Sequence, residues 1–208
     1  MHNLFILPFD HRSAFAKGLL GYPYPRLTSA QQDHIAKMKR VVFDAFLKAR
    51  SAVQNPQELA ILIDEEFGTS ILRLAKRPGL TFALAVEKSG QDIFQFEHGA
   101  QFGAHLLKWR PTWAKALVRY DTDRTKENAL QRKRLKILSD FCKKNRLGFL
   151  LEVLLTKRGS RLPQAKQMIQ EMQGDGIVTA IWKLEGFQKS SDWQALRTLT
   201  KSKIIMLG

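Results

Sequence analysis

The sequence predicts an α/β fold built on a parallel sheet, and three observations carry that prediction. Seven short apolar runs, at 4–9, 59–63, 81–86, 114–120, 148–155, 177–184 and 203–207, recur along the 208 residues. They lack regular apolar–polar alternation, as strands buried on both faces do. Longer amphipathic stretches separate most of them, and strand, helix, strand at this spacing makes right-handed βαβ crossovers. A doubly wound open sheet and an eight-stranded barrel both satisfy the pattern. No G-x-G-x-x-G follows the first run, which weakens a dinucleotide-binding reading.

The elements follow in order. LFILPF is the first strand and runs directly into FDHR. From Ser29 to about Ala52, Ile35, Met38, Val42, Ala45, Phe46 and Ala49 recur at helical spacing. Thr28 or Ser29 supplies the N-cap and Pro56 closes the stretch. LAILI and TFALAV are the next strands, with a helix over about 67–77 between them. Residues 88–112 are irregular, with room for a short helix and a loop around HGAQFGAH. Strands at 114–120 and 148–155 flank a helix over 123–146, and helices at 162–173 and 190–201 flank the strand at 177–184. Neither a repeat nor a low-complexity linker interrupts the chain, so residues 1–208 read as a single domain.

Composition narrows the function. Hydrophobic residues make up 44% and charged residues 25%, which is enough to build a soluble core. No secretory signal or membrane-length apolar run is visible, so a cytoplasmic protein without a membrane partner is expected. The single cysteine, Cys142, excludes an internal disulfide and a multi-cysteine zinc site, and reads as a structural thiol. The net charge of +15 favours anionic partners. Much of it lies in the 123–146 helix, which reads as a solvated face. That helix has neither a nucleic-acid motif nor interleaved aromatics, so nucleic acid is not the expected partner. His2, His11, His34, His98 and His105 show no ligand pair with a carboxylate motif, so no metal or cofactor is expected. His98 and His105 share a loop-like region in which they could meet.

Almost every strand ends in ionisable residues. The first ends in Asp10, His11 and Arg12, the second in Asp64, Glu65 and Glu66, and the third in Glu87 and Lys88. The fourth carries Lys115, Arg119 and Asp121, the fifth Glu152, and the sixth Lys183 and Glu185. In a parallel barrel these positions gather at one rim, where catalytic groups sit. Side-chain parity puts Lys115, Leu117, Arg119 and Asp121 on one face, Leu150, Glu152 and Leu154 on one face, and Ile181, Lys183 and Glu185 on one face. If those faces point inward, two lysines and a glutamate meet. A lysine in an apolar pocket beside another cation has a lowered pKa and becomes an amine able to form a Schiff base. A carboxylate beside it can move protons. The same spacing equally allows a structural salt bridge between Glu152 and a lysine on a neighbouring strand.

The ordered set FDHRSAF, LIDEEFGT, VEKSG, VRYD, LLEVLLT and WKLEG resembles the class I aldolase-like domain fused to 5-dehydro-2-deoxygluconokinases. It is more distantly similar to tagatose 1,6-bisphosphate aldolases. The resemblance implies a TIM (β/α)8-type barrel. It also implies cleavage of a phosphorylated keto sugar acid, 2-deoxy-5-keto-gluconate 6-phosphate, to dihydroxyacetone phosphate and malonate semialdehyde in myo-inositol catabolism. By position, Lys183 matches the Schiff-base lysine, Glu152 the acid/base glutamate, Lys115 the second lysine and Asp10 the first-strand aspartate. Arg12, Asp64, Glu87, Lys88 and Arg119 are the substrate-binding candidates. The implied partners are the phosphorylated sugar, a sugar kinase and further copies of the chain. Family members continue beyond KIIMLG into an eighth strand, so the expectation is an incomplete barrel, truncated at or after the seventh strand. An inactive barrel fragment serving as a kinase-associated module is the alternative.

Overall fold

The computed structural model describes residues 3–77 and 79–207. Seven parallel strands form one sheet in strict sequence order: β1 (Phe5–Pro8), β2 (Leu59–Ile63), β3 (Thr81–Ala85), β4 (Trp113–Tyr120), β5 (Gly148–Leu155), β6 (Ile181–Leu184) and β7 (Lys203–Met206). A doubly wound sheet reverses its strand order at a switch point. This sheet has no reversal, so the barrel-type arrangement is the one adopted.

Packing shows that the sheet is curled. Leu4, Ile6, Leu62, Ala83, Trp113, Leu150, Ile181 and Ile205 belong to one apolar cluster. Each strand, or the residue just before it, contributes to that cluster, and a flat seven-stranded sheet could not bring its first and last strands together. The opposite face carries the larger core, where Ile61, Ile63, Leu84, Val118, Leu151, Val153 and Trp182 pack beneath the helices. Strands β1 and β7 remain edges among the described residues and face each other across a cleft of about 760 Å³. The molecule is therefore an open α/β half-barrel. Phe5 and Met206, 59% and 63% exposed, mark its two edges.

The helices are α1 (Ser29–Ser51), α2 (Thr69–Ala75), α3 (Phe102–Trp109), α4 (Thr125–Asn145), α5 (Arg161–Gly174) and α6 (Ser190–Arg197). Thr28 caps α1: its hydroxyl accepts from the Gln31 N–H at 3.2 Å, and the Gln31 side chain accepts from the Thr28 N–H at 3.0 Å. This reciprocal box satisfies donors that helix geometry leaves free. Gly68 begins α2 because the backbone passes too close for a side chain. A Cβ there would lie 2.3 Å from the Asp64 carbonyl oxygen and 2.5 Å from Ile63 Cγ1.

Several boundaries differ from expectation for identifiable reasons. The sixth strand begins at Ile181 rather than at 177, because Ser139 Oγ accepts the Val178 N–H at 2.9 Å and donates to its carbonyl at 3.2 Å. That pairing draws the segment toward α4 instead of the sheet. One turn of π-helix, Ala14–Leu19, follows the first strand where the sequence carries no periodic signal. The irregular stretch 88–112 holds α3. Among the described residues, no helix is long and apolar enough to cross a membrane.

Candidate active site

Strand pairing builds the site. Glu152 on β5 lies in register with Lys183 on β6 and with Leu117 on β4, and Lys115 sits two residues before Leu117. All three charged side chains project from the face that carries the interior cluster: Lys115 is level with Leu150, and Glu152 and Lys183 stand one pleat above Leu150 and Ile181. Glu152 bridges the lysines, its Oε1 3.2 Å from Lys183 Nζ and its Oε2 3.1 Å from Lys115 Nζ. Lys115 also donates to Asp10 Oδ2 and Glu87 Oε1, each at 2.8 Å. Asp10, Glu87, Lys115, Glu152 and Lys183 are all buried.

The electrostatics correct one expectation. Lys115 does not lie in an apolar pocket with a depressed pKa. Burial alone would lower it, but Asp10, Glu87 and Glu152 together push it well above the ordinary lysine value. It is a permanent cation. Burial raises Asp10 too, yet Lys115 outweighs that and holds the carboxyl below its ordinary value. Glu87 goes the other way: burial, and next to it the Asp10 charge, raise it despite Lys115 and Arg12.

A cavity of about 310 Å³ opens above this cluster. Asp10, Arg12, Glu87, Lys88, Lys115, Arg119 and Glu152 line it, and so do His11 and Lys17. Lys183 lines the neighbouring cleft between β1 and β7, so it is approached from the open side of the half-barrel. The remaining candidates divide. Arg12 is buried, with its guanidinium 2.6 Å from Glu97 Oε2 and donating to the Glu87 carbonyl, so its charge is already spent within the protein. Asp64 lies apart from the cavity. It pairs with Lys39 from α1 and accepts the Phe67 N–H at 2.8 Å, a structural role. Arg119 donates to the Gln91 carbonyl at 2.9 Å, and Lys88 is exposed at the rim.

Two participants escaped the sequence reading, and a third was read only as a possible meeting of His98 and His105, without Glu65. Glu97, in the irregular segment, is the partner of Arg12. Lys39 was signalled only by a lysine four residues from Ile35 and four from Phe43, a core position on a helix. The third is a cluster on the outer side of the sheet, where His98 and His105 meet at Glu65. Partial burial raises Glu65, but the Trp109 indole, His105 and Lys108 hold it below the ordinary carboxylate value. Burial, and then His105, lower His98.

Among solved structures, the Cgl0159 protein of Corynebacterium glutamicum (Brevibacterium flavum) is similar over all of this chain and 69% of its own, with a TM-score of 0.66 at 14% identity. A Schiff-base-forming fructose-1,6-bisphosphate aldolase is similar over 99% of this chain and 74% of its own, with a TM-score of 0.56 at 10% identity. At these identities the likeness establishes the class of fold alone, that of the parallel α/β barrels. The family is established by sequence: residues 1–205 match the family described as "Uncharacterized protein conserved in bacteria (DUF2090)", and the chain belongs to it. No curated protein matches the sequence.

Proposed function

We propose that the protein is a Schiff-base, class I aldolase that cleaves a phosphorylated keto sugar acid such as 2-deoxy-5-keto-gluconate 6-phosphate. The observation that carries this reading is the bridging of Lys183 and Lys115 by one buried carboxylate, Glu152, at 3.2 and 3.1 Å. Three carboxylates favour the protonated form of Lys115, which supports Lys183 rather than Lys115 as the nucleophile. Lys183 has one described carboxylate partner and borders the open cleft.

In this reading the unprotonated Lys183 amine adds to the substrate ketone, forming a C–N bond and a carbinolamine. Glu152 relays a proton to the hydroxyl, which leaves as water and gives the iminium ion. A carboxylate then removes the proton of the hydroxyl β to the iminium. The C–C bond breaks, its electron pair enters the iminium as an enamine, and the aldehyde departs. Protonation of the enamine carbon and hydrolysis return the amine and the ketone product. Lys115 holds Glu152 in place beside Lys183 through these steps. Lys17, Lys88 and Arg119 give the rim the positive charge that a phosphorylated acid requires. The similarity to a Schiff-base aldolase supports the same chemistry, and the motif resemblance supports the substrate and its place in myo-inositol catabolism.

Borohydride reduction in the presence of dihydroxyacetone phosphate tests the mechanism. The expected result is a covalent adduct on the peptide containing Lys183, lost in Lys183→Met. A chain that binds the ketone but yields no adduct refutes it. The exposed β1 and β7 edges favour a second reading, a protein-association module for a sugar kinase. That reading predicts binding to the kinase that persists in Lys183→Met.

A further inference from the structure

Glu65, His98 and His105 converge from three separate stretches of chain: the loop after β2, the turn before α3, and α3 itself. His98 Nε2 lies 3.2 Å and His105 Nδ1 2.6 Å from the same oxygen, Glu65 Oε2. The two imidazole rings stack with centroids 3.5 Å apart and planes 5° apart. Their three donor atoms lie within 4.8 Å of one another. A void of about 10 Å³ adjoins them, floored by Leu84, Phe102 and Leu106, which is room for roughly a single small atom. The cluster stands on the helix side of the sheet and shares no residue with the lysine–glutamate site.

We propose that Glu65, His98 and His105 form a binding site for a divalent metal ion of the zinc class, held by two imidazole nitrogens and one carboxylate oxygen, with a further position open to water. The donor set selects the metal. Imidazole suits zinc, cobalt and nickel, whereas magnesium and calcium want all-oxygen surroundings. Two histidines and one carboxylate with a water in the remaining position is a coordination set that zinc accepts. Both imidazole side chains are about a third exposed, 34% and 31%, so an ion and its water can enter from solvent.

Each imidazole binds a metal in its own ring plane, so the parallel rings cannot both take one ion as they stack, and at least one ring turns out of the stack when the ion enters. Metal entry needs no net chemistry beyond proton movement. Each neutral ring carries its proton on the nitrogen away from the metal, on Nε2 of His105 and Nδ1 of His98, and any proton on the facing nitrogens is released to solvent. Lys108 opposes binding: its Nζ lies 3.0 Å from Glu65 Oε1 and competes for the carboxylate. It is 56% exposed and can turn outward.

The site would brace the machinery described above. Glu65 follows Asp64, the partner of Lys39, and His98 follows Glu97, the partner of Arg12. One ion would therefore tie the segment that holds Lys39 to the segment that holds Arg12 at the cavity.

Equilibrium dialysis of the full chain against zinc, and absorption spectroscopy with cobalt(II), test the proposal. The expected results are one zinc per chain and the visible bands of four- or five-coordinate cobalt. His98→Gln and His105→Gln each weaken binding about tenfold or more, as loss of metal-site groups does. Lys108→Gln tightens it, a gain that a purely structural role for the cluster would not produce. Zinc raises the melting temperature of the wild type and leaves that of His98→Gln unchanged. Octahedral cobalt spectra, no zinc retained by the wild type, or binding that survives both histidine substitutions would overturn it. Should the histidine variants fail to fold, the wild-type cobalt spectrum and the direction of the Lys108→Gln effect decide the matter.

Discussion

Replacing Lys115 with methionine tests the electrostatic account of the site most directly. The ammonium contacts Asp10 and Glu87 at 2.8 Å and Glu152 at 3.1 Å, with all four side chains no more than 10% exposed. Methionine keeps much of the volume but leaves three acids facing one another without their shared cation. Removing one partner of a buried ion pair costs about 3–5 kcal/mol, because the remaining charge is left uncompensated. For a domain of this size that lowers the melting temperature by roughly 6–20 °C. The pH dependence has a definite sign. In the wild type, Lys115 is raised, so its contribution is present below the ordinary lysine value and is lost only in alkali. Asp10 is lowered, so its contribution is present above the ordinary aspartate value and is lost as pH falls through the folded one. In the variant, burial acts on Asp10 and Glu87 without opposition from Lys115. Both then prefer the protonated form when folded, and the variant gains stability on acidification. Urea unfolding should therefore show the gap between wild type and variant narrowing from about pH 7 to about pH 5. Adding Glu87→Gln to the variant should recover part of the loss at neutral pH. A pH-independent gap, or a loss below about 1 kcal/mol at neutral pH, would refute the shared-cation account.

Three further perturbations probe the frame around the site. Gly68→Ala drives a methyl group into the Asp64 carbonyl and Ile63, and should cost at least about 1–3 kcal/mol in urea unfolding; a change within experimental error would mean the loop relaxes freely. Arg146 closes α4 in the left-handed region with φ of 57°, so Arg146→Gly should stabilise the fold by up to about 1 kcal/mol, and a destabilised variant would contradict the strain. Burial pushes the Cys142 thiol up to about 12. It should resist iodoacetamide in the native protein at mildly alkaline pH and react once urea unfolds the chain, whereas rapid native labelling would show that the α4 core opens.

The strands were legible because burial on both faces leaves uninterrupted apolar runs, and the order of those runs became the order of the sheet. Their charged ends were legible for a related reason. Lys115, Glu152 and Lys183 break runs that are otherwise apolar, and parity fixes which face each one occupies. The α1 stripe was read correctly at Ile35 and Phe46 but slipped by one residue between them. Hydropathy favoured Met38 and Val42, but the buried positions are Ile35, Lys39, Phe43 and Phe46. A lysine enters that core because Asp64, at the end of a strand 25 residues away, lies beneath it. No local pattern reports a partner at that distance.

The same limit explains why the sign of the Lys115 shift was missed. Residue spacing placed a second cation, Lys183, near Lys115, and two cations would have lowered the pKa. What decides the outcome is the number of acids within reach: one just beyond β1, one beyond β3 and one on β5. Asp10 reaches Lys115 across 105 residues of sequence. Only closing the sheet into a curve brings β1 toward β4, so curvature rather than composition makes Lys115 a fixed cation. With Lys115 fixed, Glu152 is held on one side and faces Lys183 on the other. In the proposed aldolase reading the nucleophile's role therefore goes to Lys183.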